Sequence, residues 1–148
     1  MEEEVHLVSV DMIPRQTLGR GGRMDGVVLI VEDEENIRIV FHDALRAIGV
    51  RVVGAASGED GVEMYRRHKE EVSLVVLDVS LPGMSGEETF RLLKEINPAV
   101  KVVVSSGYPH DVVTQKFSGV GVAGYLQKPY SWATLAKSMG EYLKPTGH

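Results

Sequence analysis

Residues 74–88 read Leu-Val-Val-Leu-Asp-Val-Ser-Leu-Pro-Gly-Met-Ser-Gly-Glu-Glu, and they carry the clearest structural signal in the chain. The first four residues form an unbroken apolar run that stops at Asp78. Such a run, bounded by turn residues, predicts a strand of a parallel sheet that is buried on both faces. Pro82 and Gly83 then predict a turn, and Ser85 predicts a helix N-cap. The pattern therefore places Asp78 at the carboxyl end of a buried strand, where open α/β sheets hold their functional sites.

The same kind of unit, a short apolar run followed by a helical pattern, occurs five times along the chain. Strands are predicted at residues 27–31, 51–55, 74–78, 101–104 and 122–126, and helices at residues 36–48, after Ser57, after Ser85, at residues 110–117 and after Ser131. This alternation implies a parallel sheet with helices on both faces. Right-handed crossovers then favour the flavodoxin-like strand order 2-1-3-4-5. We therefore expect an α/β fold, a single domain built on a doubly wound five-stranded parallel sheet.

Residues 26–144 form this predicted domain, and the two ends of the chain differ from it. Residues 5–13 alternate weakly between apolar and polar, and residues 15–23 are rich in Gly and Arg. We interpret residues 1–25 as a flexible leader or linker. A short strand, or the remnant of a preceding domain, is the alternative for residues 5–13. Residues 145–148 are interpreted as a C-terminal tail.

Composition excludes several classes of function. The chain has 148 residues, 43% of them hydrophobic, and its lack of cysteine excludes disulfides and thiolate chemistry. Its net charge of −5 gives no reason to expect nucleic acid or an anionic membrane as a partner. No apolar run approaches the ~20 residues of a membrane helix, and the acidic N-terminus has the wrong charge for a signal peptide. We expect a cytoplasmic protein.

Polar side chains follow four of the five predicted strands. They are Glu32 and Asp33 after the first strand, Asp78 after the third, Ser106 after the fourth and Lys128 after the fifth. Because the carboxyl ends of parallel strands meet at one edge of the sheet, these groups are expected to converge. Clustered carboxylates repel one another and raise each other's pKa, so the arrangement needs cations. Lys128 supplies one, and Mg²⁺, which prefers oxygen ligands, would supply another.

A carboxylate beside Mg²⁺ and an ammonium can attack phosphorus as a nucleophile and form an aspartyl phosphate. The two cations would offset the charge on the transferred oxygens, and Ser106 would donate a hydrogen bond to the phosphoryl group. A single Asp or Ser at a strand end is more often a turn or cap residue than a catalyst. Because such residues occur together at four strand ends, we favour a reactive site over a set of separate turn and cap residues.

Together these segments resemble the receiver domains of two-component response regulators, and the resemblance covers residues 27–143. The matching motifs are Val-Leu-Ile-Val-Glu-Asp-Glu-Glu at 28–35, Val-Val-Leu-Asp-Val-Ser-Leu-Pro-Gly-Met-Ser-Gly at 75–86, Val-Val-Val-Ser-Ser-Gly-Tyr at 102–108 and Gly-Tyr-Leu-Gln-Lys-Pro at 124–129. The resemblance implies that Asp78 accepts a phosphoryl group from a phosphohistidine on a sensor histidine kinase or histidine phosphotransfer protein. It also implies that Asp33, Asp78 and the backbone carbonyl of Ser80 ligate Mg²⁺, or Mn²⁺ in its place, with Glu32 acting largely through water.

The resemblance assigns further roles around the phosphoryl group. Ser106 and Lys128 would bind its oxygens, and Tyr125 would be a switch residue that turns inward as Ser106 moves towards the phosphate. Ser80 and Tyr108 occupy variable positions that tune how fast the phosphate is lost. In this family the bond between Lys128 and its following proline is usually cis. The departures from the family pattern are mild, with Glu32 where Asp is commoner and Ser106 where Thr is commoner.

No effector domain is recognisable after Lys128, so the output is expected to pass through a protein interface. In the family that interface is the face of the fourth helix, fifth strand and fifth helix, here residues 110–117, Tyr125 and residues 131–143. The chain is expected to be either a free-standing receiver or the receiver module of a hybrid histidine kinase. Formation of a homodimer on phosphorylation is a further expectation for the partners of this chain. The only chemistry expected is self-catalysed gain and loss of the phosphate, so the chain is not expected to be an enzyme.

Three rival functions share parts of this pattern. An Asp-nucleophile phosphatase requires a second Asp at position 80, where this chain has Ser80. A flavodoxin-like electron carrier requires a phosphate-binding loop after the first strand, but the acids at 32–35 would repel the phosphate of FMN. A phosphate-independent interaction module is the nearest rival. The Gly-x-Gly-x-x-Gly pattern at 119–124 precedes a strand, not a helix, and is interpreted as a loop.

Overall fold

The structure is a computed structural model that describes residues 26–117 and 121–143. Its elements are β1 (Val27–Val31), α1 (Glu35–Ala47), β2 (Arg51–Ala55), α2 (Gly58–His68), β3 (Val72–Asp78), α3 (Gly86–Ile96), β4 (Val102–Ser106), α4 (His110–Lys116), β5 (Gly124–Gln127) and α5 (Trp132–Tyr142). All strand pairs are parallel, and the order is β2-β1-β3-β4-β5. The predicted fold class and strand order are confirmed. The leader at 1–25 and the tail at 145–148 lie outside the described residues.

Two helical layers cover the sheet, and successive residues of each strand face opposite layers. Val27, Leu29 and Val31 belong to the cluster that also contains Tyr65 of α2, Phe90 and Leu93 of α3 and Val113 of α4. Val28 and Ile30 belong to the cluster that contains Phe41 and Leu45 of α1 and Leu135 and Met139 of α5. Every residue of β1 is fully buried. A strand covered on both faces explains why β1 and the centre of β3 are continuous apolar runs.

The ends of the later strands differ from the predicted ones. β4 continues through Ser106, because Ser106 pairs with Gln127 of β5 and Ser105 pairs with Asp78 of β3. β5 begins at Gly124, two residues later than predicted. A Cβ at Gly124 would collide with the side chain of Tyr142 from α5, so a larger residue here would have to displace that ring. Both differences come from pairing and packing between elements.

Serine hydroxyls cap three helices as the sequence predicts. The Oγ atoms of Ser57, Ser85 and Ser131 each accept a hydrogen bond from a backbone N–H three residues later, at 3.1 Å in every case. Gly49 has a φ of +79° and ends the segment after α1, the position where a helix favours glycine. Within the described ranges, no helix is long and apolar enough to cross a membrane.

Candidate functional site

The predicted strand-end residues come together at the carboxyl edge of the sheet. Glu32 follows β1, Asp78 ends β3, Ser106 ends β4 and Lys128 follows β5. The parallel register aligns these ends, since Val31 pairs with Leu77 and Ser106 pairs with Gln127. Three of the side chains are almost inaccessible: Glu32 is 1% exposed, Asp78 is 3% exposed and Ser106 is 2% exposed. The edge therefore holds a buried polar cluster on an apolar scaffold.

The ammonium of Lys128 joins carboxylates from two different strands. Its Nζ lies 3.0 Å from Oε1 of Glu32 and 3.5 Å from Oδ1 of Asp78. Burial alone lowers the pKa of Lys128, but the hydrogen bond to Glu32 and the two negative charges outweigh burial and raise it. The backbone N–H of Lys128 donates to the Ser106 carbonyl at 2.7 Å, and the peptide bond to Pro129 is cis, as the family resemblance implies. Lys128 is therefore charged and held between the two acids.

The carboxylates of Glu32, Asp33 and Asp78 form an acidic cluster, with one oxygen of each lying within 4.8 Å of the others. Burial and then the charge of Asp78 raise the pKa of Glu32 to about 7, although the hydrogen bond from Lys128 opposes this shift. One ammonium thus leaves the three acids undercompensated. The donor set consists of hard oxygen atoms on two buried side chains and one exposed side chain. This donor set fits a small divalent cation such as Mg²⁺.

Backbone N–H groups fix the orientation of the two buried carboxylates. The N–H of Glu34 donates to Oε2 of Glu32, and the N–H of Ser80 donates to Oδ1 of Asp78, each at 3.2 Å. Arg38 of α1 donates from Nη1 to the Glu32 carbonyl at 2.7 Å. Sequence reasoning missed Arg38, because its contact depends on how α1 lies against the end of β1. The arginine anchors the loop that carries the first two acids.

The residues predicted to act as switch or lifetime positions lie around this cluster. Ser106 Oγ accepts a hydrogen bond from the N–H of Tyr108 at 2.9 Å, while the Tyr108 side chain is 52% exposed. Ser80 is exposed, and its backbone N–H donates to Oδ1 of Asp78. Tyr125 is half-buried on β5, where it pairs with Val104. The functional roles of these residues stay predictions.

Tyr130 is a second residue that sequence reasoning missed. Its hydroxyl lies 3.3 Å from Oγ of Ser105, and its ring meets Phe41 of α1 edge to face at 5.4 Å between centroids. Burial raises the pKa of Tyr130 and the nearby carboxylates raise it further, although the contact with Ser105 opposes them. Ser105 pairs directly with Asp78 across the sheet. The sequence signal that could have pointed to Tyr130 was Ser105, since a hydroxyl on a buried strand needs a hydrogen-bond partner.

A family model for the response regulator receiver domain matches residues 28–139. The chain belongs to this family. It is therefore a receiver of the kind that two-component signalling uses. The matched segment contains all the strand-end residues: Glu32, Asp33, Asp78, Ser106 and Lys128.

Three relatives illustrate the range of proteins that the receiver resembles. It is 36% identical to the sensor kinase CckA of Brucella abortus (strain 2308) over 79% of this chain but only 12% of the kinase. It is 28% identical to sporulation initiation phosphotransferase F of Bacillus subtilis (strain 168) over 81% of this chain and 95% of that protein. The BeF3-activated receiver domain of DrrB, a Thermotoga maritima response regulator, superposes with a TM-score of 0.68 at 29% identity, covering 81% of this chain and 98% of that one.

Proposed function

We propose that this receiver is a phosphoacceptor: Asp78 takes a phosphoryl group from a phosphohistidine on a sensor histidine kinase or histidine phosphotransfer protein. The observation that carries the proposal is the environment of Asp78. Its carboxylate is 3% exposed, lies 3.5 Å from the Lys128 ammonium and shares a cluster with two further acids. A buried nucleophile beside a fixed cation suits transfer of a phosphoryl group, where most of catalysis is positioning and charge compensation.

The proposed transfer exchanges one bond to phosphorus for another. A carboxylate oxygen of Asp78 attacks the phosphorus, a P–O bond forms and the P–N bond to the imidazole breaks. The electron pair of that bond stays on the imidazole nitrogen, which leaves and takes up a proton from solvent. Since Oδ1 already meets the Ser80 N–H and lies near Lys128, we assign the attack to Oδ2.

The acidic cluster supports Mg²⁺ as the metal, with Mn²⁺ as a substitute. Asp33, Asp78 and the backbone carbonyl of Ser80 would hold the ion, and Glu32 would act largely through water. When bound, the metal offsets negative charge on the phosphoryl oxygens. The pKa of Glu32 is raised to about 7 by burial and then by the charge of Asp78, and a bound cation would offset both effects.

Ser106 and Lys128 would hold the phosphoryl group after transfer. Ser106 Oγ accepts from the Tyr108 N–H, which leaves its own O–H free to donate to a phosphoryl oxygen. Loss of the phosphate by attack of water on phosphorus would restore the Asp78 carboxylate and release inorganic phosphate, at a rate tuned by Ser80 and Tyr108. The phosphoryl group stays on the chain's own Asp78 until water removes it, so the receiver is proposed to be a signalling protein and not an enzyme.

The signal is proposed to leave through the face formed by α4, β5 and α5. Ser106 lies four residues before α4, and Lys128 directly follows β5, so a change at either residue reaches elements of this face through few bonds. Tyr125 on β5 would report the change by turning inward. A downstream protein, or a second phosphorylated copy of this chain, would bind the altered face.

Intact mass measurement after incubation with a small phosphodonor and Mg²⁺ tests the proposal. The unsubstituted chain should gain one phosphoryl group that hydroxylamine removes, as expected for an acyl phosphate. Asp78→Asn should gain none, whereas Asp43→Asn, which changes an exposed acid on α1, should label normally. Equal labelling of the unsubstituted chain and Asp78→Asn would overturn the assignment.

The same experiment separates the rival functions. A phosphate-independent interaction module would take up no phosphoryl group at all. A phosphatase would release inorganic phosphate from the donor over many turnovers without holding a stable covalent group. The exposed hydroxyl of Ser80, in place of a second carboxylic acid, supports the phosphoacceptor over the phosphatase.

A further inference from the structure

The loop from β1 to α1 carries two of the acids proposed to bind metal, yet few contacts hold it in place. The loop consists of residues 32–34. Serine hydroxyls cap α2, α3 and α5, whereas no side chain caps the start of α1. Asp33 is exposed, and no group in the described part of the chain donates a hydrogen bond to its carboxylate. The position of this carboxylate therefore depends on the backbone of the loop.

Arg38 of α1 holds the peptide group directly before Asp33. Its Nη1 donates to the Glu32 carbonyl at 2.7 Å, and the arginine is itself half-buried. Since a peptide group is planar, the Glu32 carbonyl and the Asp33 nitrogen lie in one plane, so a fixed carbonyl also fixes the start of Asp33. A charged donor makes this one of the stronger kinds of hydrogen bond. Arg38 thus sets the direction in which Asp33 leaves the strand.

The other hydrogen bonds of the loop restrain Glu32 and not Asp33. The N–H of Glu32 donates to the Ala55 carbonyl at the end of β2 at 2.9 Å, and the N–H of Glu34 donates to Oε2 of Glu32 at 3.2 Å. Among residues 26–117 and 121–143, Arg38 is the only residue beyond the loop whose side chain bonds to the loop backbone. Loss of the arginine would therefore free the peptide group that orients Asp33.

The charge of Arg38 and its contact would act on a bound metal in opposite directions. A positive charge near a cation site repels the ion, so the charge by itself would weaken binding. A contact that holds Asp33 ready for the ion would strengthen binding, because the ion then does not have to order the loop. Replacing Arg38 should therefore tighten metal binding if charge dominates and weaken it if positioning dominates.

Taking Asp33 as a metal ligand, as the proposed function does, we propose that Arg38 is a positioning residue of the metal site. By holding the Glu32 carbonyl, it fixes Asp33 where the carboxylate can meet Mg²⁺. Arg38 acts through Asp33 and is assigned no contact with the ion or the phosphoryl group. Its contribution is to the affinity for the metal.

Calorimetric Mg²⁺ titration of Arg38→Met tests this role, since methionine removes the donor and the charge but suits a helix. Mg²⁺ binding should weaken about tenfold, the lower end of the range for residues that orient metal ligands. Arg38→Lys keeps a charged donor and should recover most of the affinity. Arg46→Met removes the same charge from the exposed last turn of α1 and should change the affinity little. Unchanged or tighter binding by Arg38→Met would overturn the proposal.

NMR relaxation of the metal-free chain examines the loop directly. The amide order parameters of Asp33 and Glu34 should lie near the rigid value of about 0.85 in the unsubstituted chain and fall towards about 0.6 in Arg38→Met. The amide of Ala55 on β2 should stay rigid in both, which separates a local release of the loop from a general loss of structure. Equal order parameters for the loop in the two chains would contradict a positioning role.

The titrations also separate this role from the proposed function. An unsubstituted chain that binds no Mg²⁺ would overturn the proposed metal site, and the role of Arg38 with it. An unsubstituted chain that binds Mg²⁺ through Asp33, with equal binding by Arg38→Met, would overturn the role of Arg38 alone.

Discussion

The two halves of the carboxyl edge are chemically opposite. The acidic half, formed after β1 and β3, carries Glu32, Asp33 and Asp78, and two of these carboxylates are almost fully buried. The hydroxyl–ammonium half, formed after β4 and β5, carries Ser106 and Lys128. Only the second half lies beside elements of the proposed output face. Under the proposed function the two halves would divide the labour: the acidic half would hold the metal and the nucleophile, and the other half would detect the phosphoryl group.

Neither half is favourable in isolation. Burial and then the charge of Asp78 raise the pKa of Glu32, and a buried ammonium is costly without a partner. Lys128 connects the halves through its contacts of 3.0 Å to Glu32 and 3.5 Å to Asp78. A phosphoryl group on Asp78 would compete for this ammonium, which gives a physical route from chemistry to a change of shape.

Replacing the connecting residue should have the largest effect. Lys128→Ala should retain Mg²⁺ binding, since no metal ligand is lost, but abolish the conformational response to beryllium fluoride. Amide shifts of α4 and β5 in NMR spectra measure the response, and Mg²⁺ titration measures the binding. Lys69→Ala, at an exposed lysine directly after α2, is the matched control and should respond fully. A normal response from Lys128→Ala would contradict the division of labour.

Metal binding should depend on one half only. Asp33→Asn removes a proposed carboxylate ligand and should weaken Mg²⁺ binding about tenfold or more, as loss of a metal-site partner commonly does. Ser106→Ala, in the other half, should change Mg²⁺ affinity little while it impairs the response. Calorimetric titration of the two variants provides the comparison. Similar Mg²⁺ affinities for Asp33→Asn and Ser106→Ala would show that metal binding does not depend on the acidic half alone.

In the absence of metal, the acidic half should make the free energy of unfolding depend on pH. Because the folded state raises the pKa of Glu32 from 4.5 to about 7, the folded protein binds this proton more tightly than the unfolded chain. The stability from Glu32 is therefore complete below pH 4.5 and lost as the pH rises through about 7. Urea unfolding in EDTA should show this loss for the unsubstituted chain but a flatter profile for Glu32→Gln. Parallel profiles would indicate that burial does not perturb Glu32.

The smallest effect is expected at Tyr130, whose hydroxyl meets Ser105, the neighbour of Ser106 on β4. Tyr130→Phe removes the hydroxyl that meets Ser105 at 3.3 Å but keeps the ring against Phe41. The free energy of unfolding should fall by about 1 kcal/mol, the usual value of one hydrogen bond. Tyr108→Phe, on a half-exposed ring, should change it by less than about 0.5 kcal/mol. Urea unfolding measures both variants. An equal loss of unfolding free energy in each would show that the Tyr130 hydroxyl does not stabilise the fold.

Most of the fold and site was readable in the sequence because the relevant signals are local. The apolar run before Asp78, the serine caps and the strict alternation of strands and helices each depend on a few neighbouring residues. A parallel sheet then aligns all strand ends, so the convergence of Glu32, Ser106 and Lys128 follows from topology alone. The predicted start of β5 was wrong: the strand begins at Gly124, which pairs with Val103 of β4, and this pairing is not visible in the local sequence.

The sequence by itself thus determined the strand order, the residues at the carboxyl edge and the chemistry available to them. Tertiary structure decided which of these groups touch. The ion pairs of Lys128, the anchoring of Glu32 by Arg38 and the contact of Ser105 with Tyr130 all join elements that are distant in sequence. The edge-to-face contact of Phe90 on α3 with Phe117 at the end of α4 likewise joins separate elements. Local patterns specify an element and its end, whereas distances between side chains depend on how several elements pack together.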